Sequence, residues 1–287
     1  MEFHKLTSTD AFIVFDLGDA PSVGVVRQAP KVLKDGAELL ARSTTYAMAA
    51  FGLQLGGASA GINAKPDVRD AALAAFTEEV APLVESGRWL PGPGVGIAAD
   101  DLAGLARGEE RALAFDQTAA GESAVAAALG ALGSLDGKHV AIVGNGPITE
   151  AAASSASANG ATPQPQASFD TACDALLVAG KAGVLEHDLA ATVQAKVVVP
   201  LTPVPVTARA LAVLSRAGVL VVPDFLSTAA PALTAVDPDG EDAMLRVHDA
   251  VAALAGEGSN LWMAAVTQAE EHLLSWQDQL PFGRPLA

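Results

Sequence analysis

Four short apolar runs limit most tightly what this chain can fold into: "KHVAIVG" from Lys138, "DALLVAG" from Asp174, "AKVVVP" from Ala195 and "GVLVVPDF" from Gly218. None alternates polar with apolar residues. A strand with one wet face must alternate with a period of two, so these runs describe strands buried on both faces. They are separated by stretches with helical spacing, "NGPITEAAASSASANGA" and "PVTARALAVLSRAG", and preceded by another, "ESAVAAALGALGSL". Apolar strands alternating with helices specify a parallel sheet covered on both sides.

The first 117 residues read differently. "AFIVFDLGD" and "SVGVVRQ" are expected to be two strands around a turn at Gly18-Asp19-Ala20-Pro21. "DGAELLARSTTYAMAAFGLQL" has helical spacing, with Leu39, Leu40, Tyr46 and Phe51 facing inward. A glycine turn, a short strand "GINA" and a second helix, "VRDAALAAFTEEVAPLVE", follow. "RWLPGPGVGIAADDLAGLARG" reads as a Pro- and Gly-rich loop entering a short helix. The tail, "DAMLRVHDAVAALAG" and "NLWMAAVTQAEEHLLSWQDQL", is helical again after a break at Gly256-Glu257-Gly258. The expected organisation is therefore two α/β domains. One comprises residues 1–117 with a returning helix at 259–287, and the other is a doubly wound, Rossmann-like unit at 118–258.

Composition narrows the partners. A net charge of −16 repels phosphate backbones and anionic membranes, so neither nucleic acid nor a membrane surface is an expected partner. The single cysteine, Cys173, excludes an internal disulfide and fits a reducing cytoplasm, where it is expected to be a packed residue at a strand start. "MEFHKLTSTD" lacks the basic and apolar regions of a signal peptide. No apolar run approaches the roughly 18 residues a membrane helix needs.

Gly57-Ala58-Ser59-Ala60-Gly61 matches the G-x-S-x-G pattern of a serine hydrolase elbow. That elbow needs a strand before the serine and a helix after it. Here the helix comes first, and the five histidines are scattered at positions 4, 139, 187, 248 and 272. The hydrolase reading fails on context.

The stretch "TTYAMAAFGLQLGGASAGI" instead resembles the substrate-lysine region of the Glu/Leu/Phe/Val amino acid dehydrogenases. "GKHVAIVGNGPITEAAASSASANGA" resembles that family's nucleotide strand–turn–helix, and "AKVVVPLTPVPVTARALAVLSRAGVLVVPDFLSTAAPAL" its later sheet segment. The resemblance is collinear from about Asp10 to Leu233. It implies oxidative deamination by hydride transfer to a nicotinamide, with one lysine on the substrate carboxylate, a second activating water and an aspartate moving protons. Such chemistry needs a fixed cation and tuned acid–base groups in a dry cleft.

On this sequence the family's three catalytic positions fall on Ala47, Ser59 and Gly94, none of which carries the required group. The asparagine of the family's "GAN-x-P" stretch falls on Pro203, the one after "PDFL-x" on Thr228, and the following glycine pair on Ala230-Pro231. The other lysines of this half are Lys5, Lys31, Lys34 and Lys65; Lys65 stands about 20 Å from Ser59 along a strand at roughly 3.3 Å per residue. Arg27, in the strand resembling the family's "GG-x-R", is expected to make a structural ion pair. Each lost acid–base group lowers the rate by about 10² to 10⁴.

The cofactor-binding candidates are Gly144, Asn145, Gly146, Pro147 and Ile148, the turn between a strand and a helix, together with Thr118 at the start of the second unit. The first two glycines of a dinucleotide fingerprint are present, and the third is Thr149. The acid that should grip the ribose about 20 residues on is replaced by "ATPQPQAS", with Asp170 arriving late. No metal site is expected, and the cofactor is expected to be absent or a weakly held NAD(P). The leading expectation is a catalytically degenerate homologue retained for assembly, regulation or sensing of an amino-acid-like ligand, and a homo-oligomer pairing through "AFIVFDLGD". Two alternatives stay open. One is an active oxidoreductase with relocated groups. The other is a biosynthetic enzyme using the same cleft, for which a polar cluster around Ser59 and Thr228 would speak.

Overall fold

The computed structural model describes residues 1–105, 117–256 and 260–287. Two separate five-stranded sheets organise them. The first is built from β1 (Glu2–Lys5), β2 (Ala11–Phe15), β3 (Ser22–Ala29), β4 (Gly56–Asn63) and β5 (Trp89–Pro93), with α1 (Lys34–Ala50) and α2 (Arg69–Glu85) in the connections. Its order is β1-β2-β4-β3-β5, antiparallel at β1–β2 and β2–β4 and parallel from β4 through β3 to β5.

Three sequence expectations are corrected here. β2 and β3 do not form a hairpin, because β4 lies between them. β2 is not a pairing edge either: it is buried along its whole length, and the edge beside it is the exposed β1. A five-residue apolar run is satisfied by neighbours on both sides, whereas an edge tolerates the polar, charged "EFHK". Lastly, "GGASAGIN" is one continuous strand with no glycine turn in it. Its glycines serve close approach. A Cβ on Gly57 would lie 1.9 Å from the Ala41 carbonyl oxygen of α1, and one on Gly61 would lie 2.7 Å from the Phe12 ring. β5 was hidden by Pro91 and Pro93, which an edge strand accommodates because one side of it makes no ladder.

The second sheet follows α3 (Gln117–Leu132) and consists of β6 (His139–Val143), β7 (Thr162–Gln164), β8 (Cys173–Val178), β9 (Ala195–Pro200) and β10 (Leu220–Val221). All its pairings are parallel, in the order β10-β9-β8-β6-β7. Its helices are α4 (Pro147–Ala158), α5 (His187–Ala190) and α6 (Ala208–Arg216), followed by α7 (Asp224–Ser227), α8 (Ala230–Val236), α9 (Ala243–Gly256) and α10 (Leu261–Leu274). The fold class is thus the α/β architecture expected, one mixed sheet and one parallel, Rossmann-like sheet. The second sheet is trimmed: β7 has three residues, and residues 165–172 reach β8 without a helix. The break at Glu257-Gly258, and with it the boundary set at 258/259, falls outside the described residues.

The largest core cluster runs from Tyr46–Ala50 of α1 through the second sheet to α9 and α10. A second, centred on Phe76 and Trp89, lies between the first sheet and α2. α10 packs on α1, where Tyr46 donates its hydroxyl to Glu270 at 3.0 Å. Beyond α10 the tail crosses α1. Arg42 donates to the carbonyls of Phe282 and Gly283, and the Ala208 amide donates to the Ala287 carbonyl at 3.1 Å. Among the described residues no helix is long and apolar enough to cross a membrane.

Candidate functional site

Ser59 sits in the middle of β4, opposite Val14 on β2 and Val25 on β3, and is 0 % exposed. Its hydroxyl accepts a hydrogen bond from Arg27 Nη2 at 3.5 Å. A hydrolase nucleophile has to stand proud of a strand–helix turn, and this serine is sealed inside a sheet under α1.

Gly94 follows β5 and lies against the same arginine. A Cβ there would sit 2.8 Å from the Val26 carbonyl oxygen, 3.0 Å from Arg27 Cγ and 3.2 Å from Val25 Cβ. The backbone of β3 therefore leaves no room for a side chain at 94. The structure brings Ser59 and Gly94 together around Arg27. Ala47 does not join them: it is buried in the core shared by α1 and the second sheet.

Arg27 was expected to make an ion pair and makes none among the described residues. Ser59 is its one hydrogen-bond partner, and its Nε is buried with no partner. Burial pulls its pKa below the usual guanidinium range. It is the one charged residue of β3; the signal in the sequence was a cation in an otherwise apolar strand, two residues after the Val25 that pairs with Ser59.

Asp224, which opens α7, is a residue the sequence reading did not single out. It is fully buried at the seam between the two sheets' helices. It accepts hydrogen bonds from Ser43 Oγ of α1 at 2.5 Å and from the Val204 amide at 3.0 Å. Val204 has φ +53°, a strained value for a β-branched residue, which Asp224 helps hold. Loss of water outweighs these hydrogen bonds and pushes the Asp224 pKa up to about 6. A folded-state pKa above the unfolded one means that the folded state holds the proton more tightly. This residue therefore favours folding at low pH, and its contribution is lost as pH rises through about 6. Chemical denaturation of wild type and Asp224→Asn between pH 4.5 and 7.5 should show the wild type gaining relative stability as pH falls through 6. A pH-independent difference would refute the burial argument. Thr228 turns its hydroxyl back to the Asp224 carbonyl at 2.8 Å, so the hydrogen bonds of Ser59 and Thr228 do not join them in one polar cluster.

The nucleotide-type turn lies at the carboxyl end of β6. The chain leaves β6 for β7 on one side and returns to β8 on the other, so the strand order reverses between β6 and β8. Ligands of such sheets bind in the crevice that opens there, beyond the carboxyl ends of the strands. Gly144 has φ +106° and Gly146 φ +101°. A Cβ on Gly144 would lie 2.8 Å from the Ala179 carbonyl oxygen of the β8 end, while the space beside Gly146 is open. Asn145 and Pro147 are exposed. Thr149, in place of a third glycine, is buried and donates its hydroxyl to the Gly146 carbonyl at 2.7 Å. Ile148 lies under α3, where a Cβ on Gly121 would sit 2.6 Å from its carbonyl oxygen; Thr118 is one turn before that glycine. These residues fit a phosphate at a helix start, less the N–H that Pro147 lacks. The ribose side does not fit: β7 ends at Gln164, Pro165 follows, and Asp170 accepts from Ser168 in an exposed loop. Among the described residues no group of His, Cys, Asp and Glu could hold a metal. Cys173, at the start of β8, is half-buried, with its pKa raised by burial.

Residues 5–110 match the family model "Glu/Leu/Phe/Val dehydrogenase, dimerisation domain". No curated protein sequence matches the chain. Among solved structures, the chain is similar to the hetero-hexameric glutamate dehydrogenase from Thermus thermophilus in its Leu-bound form. The TM-score is 0.76 and the identity 22 %, over 92 % of this chain and 83 % of that one. It is also similar to L-tryptophan dehydrogenase from Nostoc punctiforme, with a TM-score of 0.71 and 20 % identity over 97 % of each chain. Plasmodium falciparum glutamate dehydrogenase 2 gives a TM-score of 0.74 at 13 % identity, over 94 % of this chain and 81 % of that one. At these identities the structural likeness carries the fold.

Proposed function

We propose, for a chain whose residues 5–110 match the Glu/Leu/Phe/Val dehydrogenase dimerisation domain, that it is a catalytically degenerate relative of the amino acid dehydrogenases. In this reading residues 1–117 with 259–287 form an assembly and ligand unit. Residues 118–258 form a nucleotide-type unit that binds NAD(P) weakly or not at all. The observation that carries the reading is the closure of the catalytic positions. Ser59 is sealed beneath Arg27, Gly94 has no space for a side chain, and Ala47 faces the core. The incomplete ribose side supports it independently. The single, half-buried Cys173 fits a cytoplasmic setting, and the exposed edge of β1, with Phe3 open to solvent, supports homo-oligomer formation.

The test is a turnover assay with NAD or NADP and each of glutamate, leucine, valine and phenylalanine. The expected result is no nicotinamide reduction above a no-protein control, from protein whose light-scattering mass exceeds one chain. Steady reduction would overturn the catalytic half of the reading, and a single-chain mass at micromolar concentration the assembly half.

A further inference from the structure

We propose that the first unit carries a site for a small organic cation, remote from the catalytic positions, in the cavity between the turn joining β2 to β3, the stretch just before β4 and the residues that follow α10. This goes beyond the proposed function and stands whether or not the chain turns over.

The cavity measures about 470 Å³, within the roughly 300–1,000 Å³ of small-molecule sites. Its walls come from three separate parts of the chain: residues 18–21, Gln54, and Trp276 with Gln277. Backbone hydrogen bonds fix these walls. The Gly56 amide donates to the Pro21 carbonyl at 2.8 Å, tying the turn to the start of β4. The amides of Trp276 and Gln277 both donate to the Leu273 carbonyl, so the chain beyond α10 keeps the helix's hold. β3, β4 and β5 run parallel, and the cavity lies before the first residues of β3 and β4, whereas Gly94 lies beyond the last residue of β5. The two places are at opposite ends of the first sheet.

The lining selects the ligand. Asp19 is the one charged residue in it, and no lysine, arginine or histidine lines it. Among the described residues the side chains of Asp19, Gln54 and Gln277 make no hydrogen bond and no ion pair, so a carboxylate and two carboxamide oxygens are free to accept. Arg88 holds the same turn through the carbonyls of Gly18 and Ala20, but its ion pair is with Glu2 at 3.6 Å and it lies over the Phe15 ring, 4.5 Å from the centroid. Asp19 is left without a counter-charge. Trp276 adds an indole on which no ring or cation of the described residues stacks. Its N–H is buried without a partner, so the cavity gains no donor from it. An ammonium or guanidinium answers this lining: it has donors and no acceptor, and an aromatic face attracts it. The net charge of −16 draws cations and repels anions at longer range.

The test titrates agmatine into the purified protein by calorimetry at fixed ionic strength, with glucose as a neutral hydrogen-bonding probe. Saturable binding of agmatine is expected, and none of glucose. Asp19→Asn, at an exposed position, should weaken agmatine about fivefold, the upper end for an exposed ion pair. Trp276→Leu should weaken it about threefold through the lost aromatic face. Asp67→Asn, which removes the same charge at the other end of β4, should leave the affinity unchanged. A loss confined to the cavity variants separates a built site from attraction by net charge. No saturable agmatine binding, equal weakening in Asp19→Asn and Asp67→Asn, or glucose binding as tight as agmatine would each overturn the assignment. If Trp276→Leu does not fold, the two aspartate variants decide.

Discussion

Ser59→Lys is expected to unfold the N-terminal unit without restoring catalysis. The position is 0 % exposed, on a strand with α1 pressed onto it so closely that a Cβ at Gly57 would strike the Ala41 carbonyl oxygen at 1.9 Å. A lysine there would bring its ammonium from a fully buried strand position up against the Arg27 guanidinium. A buried unpaired charge destabilises by about 3–5 kcal/mol, and overpacking adds about 1–3 kcal/mol more. The loss is comparable to the whole stability of an ordinary domain, about 5–15 kcal/mol. Gly94→Asp meets the same obstacle, with backbone 2.8 Å from its Cβ, and Ala47→Lys would put a charge into the core. The triple variant should show no nicotinamide reduction and no cooperative melting transition. A folded triple variant with dehydrogenase activity would mean that these positions open to a cleft, contrary to the packing described here.

Arg42→Ala is expected to be the most damaging single truncation in the seam between the units. Arg42 Nε and Nη2 grip both oxygens of Asp16 at 2.7–2.9 Å, and the pair is almost wholly buried. Removing the arginine leaves the Asp16 carboxylate without its counter-charge, at a cost of about 3–5 kcal/mol. It also frees the carbonyls of Phe282 and Gly283, so the tail loses its hold on α1. Two readouts check this. Denaturant unfolding should show the loss of stability, and limited proteolysis should cut the tail beyond Leu274 sooner than in the wild type. Arg42→Met combined with Asp16→Leu should recover most of the stability, because a matched apolar pair leaves no charge stranded, yet it should not re-anchor the tail. Equal stability of Arg42→Ala and wild type would refute the clamp.

The sequence by itself determined the parallel sheet. After their first residue, runs such as "HVAIV" and "KVVVP" are apolar at consecutive positions, and burial on both faces satisfies them. It also shows that positions 47, 59 and 94 carry alanine, serine and glycine, and so neither a cation nor an acid, since an absent functional group needs no coordinates to be seen. Tertiary structure alone decided the rest. The order of the first sheet rests on β4 inserting between β2 and β3, a pairing between segments some forty residues apart that local pattern does not encode. "GGASAG" is written in turn residues, and it is a strand because α1 and Phe12 need the volume a Cβ would fill. In the sequence Arg27 reads as one half of an ion pair, and Asp224 as an ordinary surface charge. Their significance is set by what is absent around each among the described residues: no carboxylate pairs with Arg27, and no cation pairs with the buried Asp224. The energy of a charge depends on the dielectric and the partners that the whole fold places around it, and neither can be read from its chain neighbours.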